Sequence, residues 1–393
     1  MTHIYLKPGK EQSIRRFHPW IFSGAIASMS GTANEGDIVT IFSSTKEFLA
    51  LGHYQKSSIA VRILSFSQEF INQNFWNNRI KSAYEYRKTL GLINSSHTTC
   101  YRLVHGEGDN LPGLIIDMYN GVAVLQMHSV GMYKHTQHII EALKTVLGDS
   151  LQAIYNKSAS TLPFKAETDN TDGLLWGQVL STEVLENGNT FVIDWEKGQK
   201  TGFFIDQREN RKLIELYSQG KRVLNTFCYT GGFSVYALRG GASQVVSIDS
   251  SQRAIDLTNE AVTLNFPNCN THKALAEDVF DFFQNNNEKF DVIILDPPAF
   301  AKHNSALKNA LQGYKRLNMK AIEQIASGGL LFTFSCSQVV TKEDFRKSVF
   351  AAAANTKRNV RIIQQLTQPA DHPISIYHPE GEYLKGLLLQ ITD

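Results

Sequence analysis

The chain has 393 residues, 42% of them hydrophobic, and a formal net charge of +2 at pH 7. This length exceeds one ordinary domain and predicts two or three, each with its own apolar core. The small net charge excludes a strongly basic surface, so any contact with nucleic acid must rest on local patches. No apolar run reaches the roughly 18 residues of a membrane span, and the first 22 residues lack the apolar centre of a secretory signal. We therefore expect a cytoplasmic protein without membrane contact.

The four cysteines, at positions 100, 228, 269 and 336, are too few for a disulfide framework and form no CxxC pair. We expect them to be thiols. Cys269 and His272 have a spacing found among zinc ligands, but two such residues without nearby partners are more often incidental. The sequence therefore predicts no metal.

Residues 1–72 contain short apolar runs that are separated by glycine, asparagine and serine, at 37–42, 48–54 and 59–64. That pattern predicts a compact β-barrel. Ahead of these runs, Arg15, Arg16 and Trp20 combine positive charge with an aromatic ring, which can hold phosphates and stack bases. The residues alone favour a simpler interpretation, a solvated arginine pair beside core aromatic side chains.

Residues 73–186 have the pattern of a small α/β domain. The elements expected there are a helix over 75–91, strands over 101–104, 113–118 and 122–128, and a helix over 133–147. Asp109 and Asp117 are interpreted as turn and edge residues. A boundary near residue 186 leaves 187–393 as the last domain.

The last domain contains a strand, a glycine loop and a helix in succession. The strand covers 222–225, the loop holds Gly231 and Gly232, and the helix begins near Ser234. Glycine lets the backbone approach a ligand, and the start of a helix offers free N–H groups. Asp249 ends the next strand, where its carboxylate could accept hydrogen bonds from the two hydroxyls of a ribose.

Two cofactors present a ribose in this way, a dinucleotide and S-adenosylmethionine. A dinucleotide site expects G-x-G-x-x-G, with the pyrophosphate at the start of the helix. Here two adjacent glycines precede the bulky ring of Phe233. S-adenosylmethionine has no phosphate to bind, so the loop favours it over a dinucleotide.

Three acidic or thiol side chains follow later strand-like runs. Asp278 suits two roles, contact with the amine of adenine and capping of the helix that begins at Val279, and both can hold together. Asp296 follows the apolar run 290–295, and Cys336 follows a second apolar run. A helix-length segment between these runs predicts a right-handed crossover that leaves both strand ends at one crevice. A carboxyl group and a thiol there suit attack on carbon 6 of a pyrimidine ring, although a free cysteine is commonly just a small buried strand residue.

Two strand-like runs, 361–366 and 385–392, close the chain with no helix-length apolar segment between them. They are expected to pair antiparallel at the far edge of the sheet. Such a hairpin is typical of class I methyltransferases and not of dinucleotide-binding folds.

Taken in order, these segments resemble the family of 23S ribosomal RNA large-subunit cytosine carbon-5 methyltransferases. The motifs that carry the resemblance lie at 16–26, 200–208, 229–233, 296–300, 335–337 and 381–386. They span essentially the whole chain. The resemblance implies an α/β fold in which a class I, Rossmann-like methyltransferase domain follows a β-barrel PUA domain and a small α/β middle domain. It also implies S-adenosylmethionine as the cofactor.

The same resemblance assigns roles to individual residues. The methyl donor would contact Phe204, Asp206, Gln207, Asn225, Phe227, Tyr229, Thr230, Gly231, Asp249, Ser251, Asp278, Val279, Asp296 and Pro297. Cys336 would be the nucleophile and Asp296 would hold the target base, although Ala299 stands where relatives often have lysine. The implied PUA domain favours RNA binding over the structural interpretation for Arg15, Arg16 and Trp20.

Two alternatives stay open. A guanine or adenine nitrogen methyltransferase shares the Asp-Pro-Pro segment but needs no cysteine, so Cys336 argues for carbon methylation. A non-catalytic RNA-binding assembly factor would have a vestigial donor site, and the intact donor motifs argue against it. The expected partner is 23S ribosomal RNA or an assembly intermediate of the large subunit, and a homodimer is compatible with the sequence.

Overall fold

The computed structural model describes residues 2–163 and 171–393, which form two compact units. The first unit comprises the described residues of Met1–Gly188 together with Val192–Ile205 and Ala370–Gly381. The second comprises Asn189–Phe191, Asp206–Pro369 and Glu382–Asp393. The chain therefore returns to the first unit twice, at Val192 and again at Ala370. The division into three domains at residues 72 and 186 stays a prediction.

The first unit begins with a six-stranded sheet. Its strands are β1 (Thr2–Leu6), β2 (Trp20–Phe22), β3 (Ile26–Ser30), β4 (Ile38–Phe42), β5 (Phe48–Tyr54) and β6 (Ile59–Ser65), and helix α1 spans Gln12–Arg15. The strand order is β2-β6-β5-β4-β1-β3, in which β1 and β4 are parallel. Branched apolar side chains such as Ile4, Val39 and Ile41 fill its core. The three predicted strand-like runs are confirmed as β4, β5 and β6.

A five-stranded sheet of order β11-β10-β9-β8-β7 follows in the same unit. The bounds here are α2 (Gln73–Thr89), β7 (Cys100–His105), β8 (Leu114–Tyr119), β9 (Val122–Met127), α3 (Val130–Lys134), α4 (Thr136–Leu147), β10 (Ala153–Asn156), β11 (Gly173–Gly177) and β12 (Glu183–Glu186). The single helix expected over 133–147 is instead two helices. Ser129 caps the first by accepting the N–H of Met132, so helix begins earlier than the apolar spacing indicates.

The interpretation of Asp117 as an edge residue is wrong. Its strand, β8, lies between β7 and β9, and its side chain is fully buried. There Asp117 accepts hydrogen bonds from Arg102 Nε at 2.7 Å and from Thr201 Oγ1 at 2.6 Å. Asp109 likewise pairs with the buried Arg87, whose Nη2 lies 2.8 Å from Oδ2. Buried carboxylates need such partners, and these partners are distant in sequence.

The second unit contains a seven-stranded sheet of order β16-β15-β14-β17-β18-β20-β19. After β13 (Asn189–Val192), the strands are β14 (Arg222–Thr226), β15 (Gln244–Asp249), β16 (His272–Ala276), β17 (Phe290–Leu295), β18 (Ile325–Ser335), β19 (Asn359–Leu366) and β20 (Lys385–Thr392). The helices are α5 (Arg208–Tyr217), α6 (Gly232–Arg239), α7 (Gln252–Asn265), α8 (Val279–Asn285), α9 (Leu307–Gln324) and α10 (Lys342–Thr356). β14 to β18 run parallel, and β20 is antiparallel to both of its neighbours.

Helices cover both faces of this sheet. One buried cluster packs α8, α9 and α10 against Ile293 and Leu331, and another packs α5 and α6 against Val292 and Phe332. Alternate residues of β17 and β18 thus enter opposite cores, as expected for fully buried strands. The predicted α/β fold class and the edge hairpin are confirmed. No helix in the described ranges is both long and apolar enough to cross a membrane.

Candidate active site

The carboxyl ends of β14, β15, β17 and β18 meet at one edge of the sheet. In the observed register, Thr226 lies opposite Ile248 and Leu295, and Leu295 lies opposite Thr333. Strand order reverses at β14, and ligands of such sheets bind at this edge. The structure places these sequence-predicted residues directly after the strand ends: Phe227 after β14, Asp249 and Ser251 at the end of β15, Asp278 after β16, Asp296 and Pro297 after β17, and Cys336 after β18.

The loop from β14 to α6 has an unusual backbone. Phe227 and Tyr229 have φ angles of 54° and 48°, and Gly231, which precedes α6, has a φ of 74°. Residues other than glycine rarely adopt such angles, and each costs about 1 kcal/mol or more. Backbone strain of this kind persists where the surroundings enforce it, and it is common at ligand-binding loops.

A side chain at position 231 is expected to destabilise the protein. A Cβ atom there would lie 2.8 Å from Thr258 Cγ2 and 3.1 Å from Thr258 Cα. Gly220 is a matched control, because its φ is +69° and no described atom lies within 4 Å of an added Cβ. We expect Gly231→Ala to lower the free energy of unfolding by about 2 to 4 kcal/mol and Gly220→Ala by about 1 kcal/mol. Urea denaturation measures both, and equal losses would show that close packing at Gly231 is unimportant.

Asp249 is fixed by the backbone around it. Its Oδ2 accepts the N–H of Tyr229 at 3.1 Å, and its Oδ1 accepts the N–H of Ser251 at 3.0 Å. Ser251 in turn caps α7. The Asp249 side chain is only partly buried, and each carboxylate oxygen can accept a further hydrogen bond. The geometry thus leaves an anchored carboxylate able to receive a pair of hydroxyl groups.

Asn225 carries a buried acceptor beneath the same loop. Its side-chain Nδ2 donates to Ser234 Oγ at 2.8 Å, and Ser234 shares a 2.7 Å hydrogen bond with Ser247. The Asn225 residue is 1% exposed, and its Oδ1 has no partner among the described residues. A buried acceptor left unpaired costs about 1 to 3 kcal/mol. A ligand with a donor group, such as an ammonium, would remove that cost.

The other donor candidates lie in different surroundings. Asp206 is buried, and its Oδ2 accepts a 2.7 Å hydrogen bond from the hydroxyl of Tyr383 in the motif at 381–386. Gln207 is also buried, at the start of α5. Phe204 belongs to the first unit, where its ring lies 4.5 Å from Lys200 Nζ. Thr230 stands in the glycine loop and is partly buried.

The helix-capping role predicted for Asp278 is confirmed. Its Oδ1 accepts the N–H groups of Phe280 at 2.8 Å and of Asp281 at 3.3 Å. Val279, the first residue of α8, is buried. The Asp278 side chain is exposed and has a second oxygen, so the cap does not compete with the predicted adenine contact.

Cys336 is not the fully buried strand residue of the simpler interpretation. It is partly exposed, and its Sγ lies 4.0 Å from the carbonyl oxygen of Pro297. The flanking residues Ser335 and Ser337 are fully buried and hydrogen bond to the hydroxyl of Tyr314, at 2.9 Å and 3.2 Å. The two serines therefore hold this segment in the core and leave the thiol at the surface of the crevice.

Two residues beside Cys336 were not predicted from the sequence. Tyr314 is on α9, and Lys385 begins β20. Lys385 is 4% exposed, and its Nζ donates to the carbonyl oxygen of Ser337 at 2.6 Å. Burial lowers the pKa of Lys385 to about 8. The sequence signal that could have indicated Lys385 is a charged residue at the start of an apolar run of strand length.

The candidate RNA-binding residues belong to the first unit. Arg15 is exposed and pairs with Glu47, and Arg16 is also exposed. The indole N–H of Trp20 donates to Glu107 Oε1 at 2.8 Å, and its ring lies 4.3 Å from the ring of His378. Trp20 therefore already has ring and hydrogen-bond partners, and Arg16 offers the more accessible side chain.

The pair with zinc-like spacing forms no metal cluster. Cys269 Sγ lies 3.6 Å from Thr271 Oγ1, and His272 Nε2 lies 2.8 Å from Ser247 Oγ. Within residues 2–163 and 171–393, no group of three or more His, Cys, Asp or Glu side chains is arranged to hold a metal ion.

Comparisons with known proteins agree with this arrangement. The family model of S-adenosylmethionine-dependent methyltransferases matches residues 101–388, and that of a PUA-like domain matches residues 4–66, which confirms the expected N-terminal domain. The chain is 40% identical to ribosomal RNA large subunit methyltransferase I of Aeromonas hydrophila over 98% of both chains. It is 39% identical to the protein of that name from Escherichia coli O139:H28 over 99% of both.

Solved structures share the fold. A crystal structure of the methyltransferase SMU.776 complexed with SAH has a TM-score of 0.86 and 24% identity, covering 99% of this chain and all of that one. An S-adenosylmethionine-dependent methyltransferase from Streptococcus mutans has a TM-score of 0.85 and 23% identity, with the same coverage. At these identities the likeness concerns the fold.

Proposed function

Because the chain belongs to the family of S-adenosylmethionine-dependent methyltransferases that includes ribosomal RNA large subunit methyltransferase I, we propose that it methylates carbon 5 of a cytosine in 23S ribosomal RNA. One observation carries the choice of cytosine carbon 5. The partly exposed thiol of Cys336 follows β18 and lies 4.0 Å from Pro297 O, in the segment that begins with Asp296. Carbon 5 of cytosine is a weak nucleophile, and addition of a thiolate to carbon 6 activates it.

The residues at the carboxyl ends of β14 and β15 suit S-adenosylmethionine, which supplies the methyl group. The anchored carboxylate of Asp249 suits the two ribose hydroxyls. The buried Oδ1 of Asn225 suits the ammonium of the methionine part. The loop through Gly231 closes on Thr258, and it contains no basic residue to bind a phosphate. These features support Asp249, Asn225 and Gly231 as donor-binding residues.

Two side chains on neighbouring strand ends are proposed to act on the target base. The thiolate of Cys336 forms a bond from Sγ to carbon 6 of a cytosine that has been turned out of its stack. Asp296 holds the amine and ring-nitrogen edge of that base. Carbon 5 then bonds to the methyl group, whose bond to the donor sulfur breaks so that S-adenosylhomocysteine would remain, and a base removes the proton from carbon 5. The electron pair of that C–H bond re-forms the double bond between carbons 5 and 6, the bond from Sγ to carbon 6 breaks, and Cys336 leaves as the thiolate.

The products of the reaction test this proposal. We expect 5-methylcytidine in 23S ribosomal RNA incubated with the protein and S-adenosylmethionine, detected by mass spectrometry of nucleosides. The substrates should come from cells that lack the protein, as free RNA and as large-subunit assembly intermediates from the cytoplasm. A methylated guanine or adenine would instead favour nitrogen methylation with an idle Cys336. Absence of turnover on either substrate would favour a non-catalytic assembly factor.

The N-terminal domain is proposed to bind the RNA. Arg16→Ala combined with Trp20→Ala should weaken RNA binding about tenfold and leave donor affinity unchanged, because one phosphate contact and one ring contact are lost. Lys56→Ala removes an exposed charge from the same domain and serves as the control. Filter binding across a salt series measures the effect. Equal RNA affinity of the double variant would return both residues to a structural role.

A further inference from the structure

We propose that Lys385 is a positioning residue that stabilises the thiolate of Cys336 through its buried ammonium group. The inference rests on the proposed function in one respect, since it treats Cys336 as the nucleophile. Its physical content is separate, because it concerns the charge state of the thiol before any RNA binds.

The position of Lys385 is fixed by strand pairing. In the antiparallel register of β18 and β20, Lys385 lies opposite Ser335, the residue before Cys336. Its Nζ donates to the carbonyl oxygen of Ser337, the residue after Cys336, at 2.6 Å. The lysine side chain therefore extends along the chain from one side of the cysteine to the other. A negative charge on Cys336 accordingly raises the pKa of Lys385, so the charge states of the two groups are coupled.

The ammonium of Lys385 is only partly compensated. An ammonium has three N–H donors, and the carbonyl of Ser337 is its one hydrogen-bond acceptor among the described residues. The side chain is 4% exposed, so water contributes little. Burial lowers the pKa of Lys385 to about 8, whereas a negative charge on Cys336 raises it. Near pH 7 the group remains mostly cationic, and by reciprocity its charge favours the thiolate.

Other charged or titratable groups surround this pair. They come from each neighbouring element: Asp296 after β17, Tyr314 on α9, Lys342 on α10 and Glu382 before β20. Glu382 pairs with Lys342, so these opposite charges largely offset each other. Burial raises the pKa of Tyr314, which keeps its hydroxyl neutral. All four groups are unchanged when Lys385 alone is replaced. A difference in Cys336 reactivity between the wild type and a Lys385 variant therefore reports on the lysine.

Alkylation of Cys336 provides the test. The rate of modification by iodoacetamide follows the thiolate fraction, and peptide mass spectrometry resolves Cys336 from the partly exposed Cys269. Lys385→Gln keeps a donor for the Ser337 carbonyl but removes the charge. We expect it to shift the midpoint of the Cys336 pH profile upward by about one unit and to slow alkylation at pH 7 about tenfold. Lys385→Arg should restore the profile to near wild type.

Matched measurements separate this effect from damage to the fold. Cys269 is the internal reference in every sample, and Lys347→Met removes an exposed lysine of α10. Retained affinity for S-adenosylhomocysteine confirms folding, and Lys385→Met is a second uncharged variant if the glutamine variant misfolds. Coincident profiles of Cys336 in wild type and an uncharged variant would overturn the inference. If the Cys336 profile shifts but Cys336→Ala is fully active, the inference about Lys385 stands and the nucleophilic role of Cys336 is refuted.

Discussion

Cys336→Ala is expected to abolish methyl transfer, with a loss of about a thousandfold or more, while donor affinity stays intact. Removing the thiol takes away the activation of an otherwise unreactive ring carbon. The proposed acceptors of the donor, Asp249 at the end of β15 and Asn225 in β14, lie on other strands than Cys336, so its removal should leave them in place. Transfer of a labelled methyl group to RNA measures the first effect, and calorimetry with S-adenosylhomocysteine measures the second.

Cys269→Ala is the matched control for this experiment. Cys269 is also a partly exposed free thiol of the second unit, but it stands before β16 at the amino end of that strand. It should keep the wild-type rate. A Cys336→Ala protein that methylates at a near wild-type rate would rule out nucleophilic catalysis and leave nitrogen methylation as the better proposal.

Asp249→Ala is expected to weaken S-adenosylhomocysteine binding by about 1 to 3 kcal/mol, which corresponds to roughly fivefold to 150-fold. The ribose hydroxyls would lose their acceptor. The N–H groups of Tyr229 and Ser251, which now donate to this carboxylate, would lose theirs as well. Part of the loss therefore comes from a less ordered glycine loop. Isothermal titration calorimetry measures the change.

Asp256→Ala controls for loss of a carboxylate nearby. Asp256 is exposed on α7, where its Oδ1 accepts a 2.8 Å hydrogen bond from Gln252. Its replacement should leave binding unchanged. Unaltered affinity in a folded Asp249→Ala protein would remove Asp249 from the donor site, and an equal loss in both variants would indicate a general effect on the domain.

The second unit was largely predictable because its strands are buried on both faces. The continuous apolar run 290–295 coincides with β17, and the two closing runs match β19 and β20 closely. A parallel strand covered by helices carries its signal in its own sequence. The positions of Asp249, Asp296 and Cys336 after strand ends follow from the same runs, so their meeting at one edge was also predictable.

What the sequence did not reveal depends on contacts between distant segments. Asp371 lies in the chain between β19 and β20, yet its carboxylate accepts the N–H of Arg102 at 2.9 Å and its carbonyl accepts from Arg87 Nη2 at 2.7 Å. The position of Lys385 beside Cys336 was also hidden from the sequence, because it depends on the register between β18 and β20. Local periodicity contains no information about such partners, and a buried charge looks out of place until its partner is known.

Covalent trapping on RNA that contains 5-fluorocytosine tests the central claim most directly. Fluorine at carbon 5 cannot leave as a proton does, so the bond from Cys336 Sγ to carbon 6 should persist after methyl transfer. We expect a protein–RNA complex that survives denaturing gel electrophoresis, requires S-adenosylmethionine, and is absent with Cys336→Ala. Wild-type protein that methylates ordinary RNA but forms no such complex, or a complex that forms equally with Cys336→Ala, would contradict attack by Cys336 on the cytosine ring.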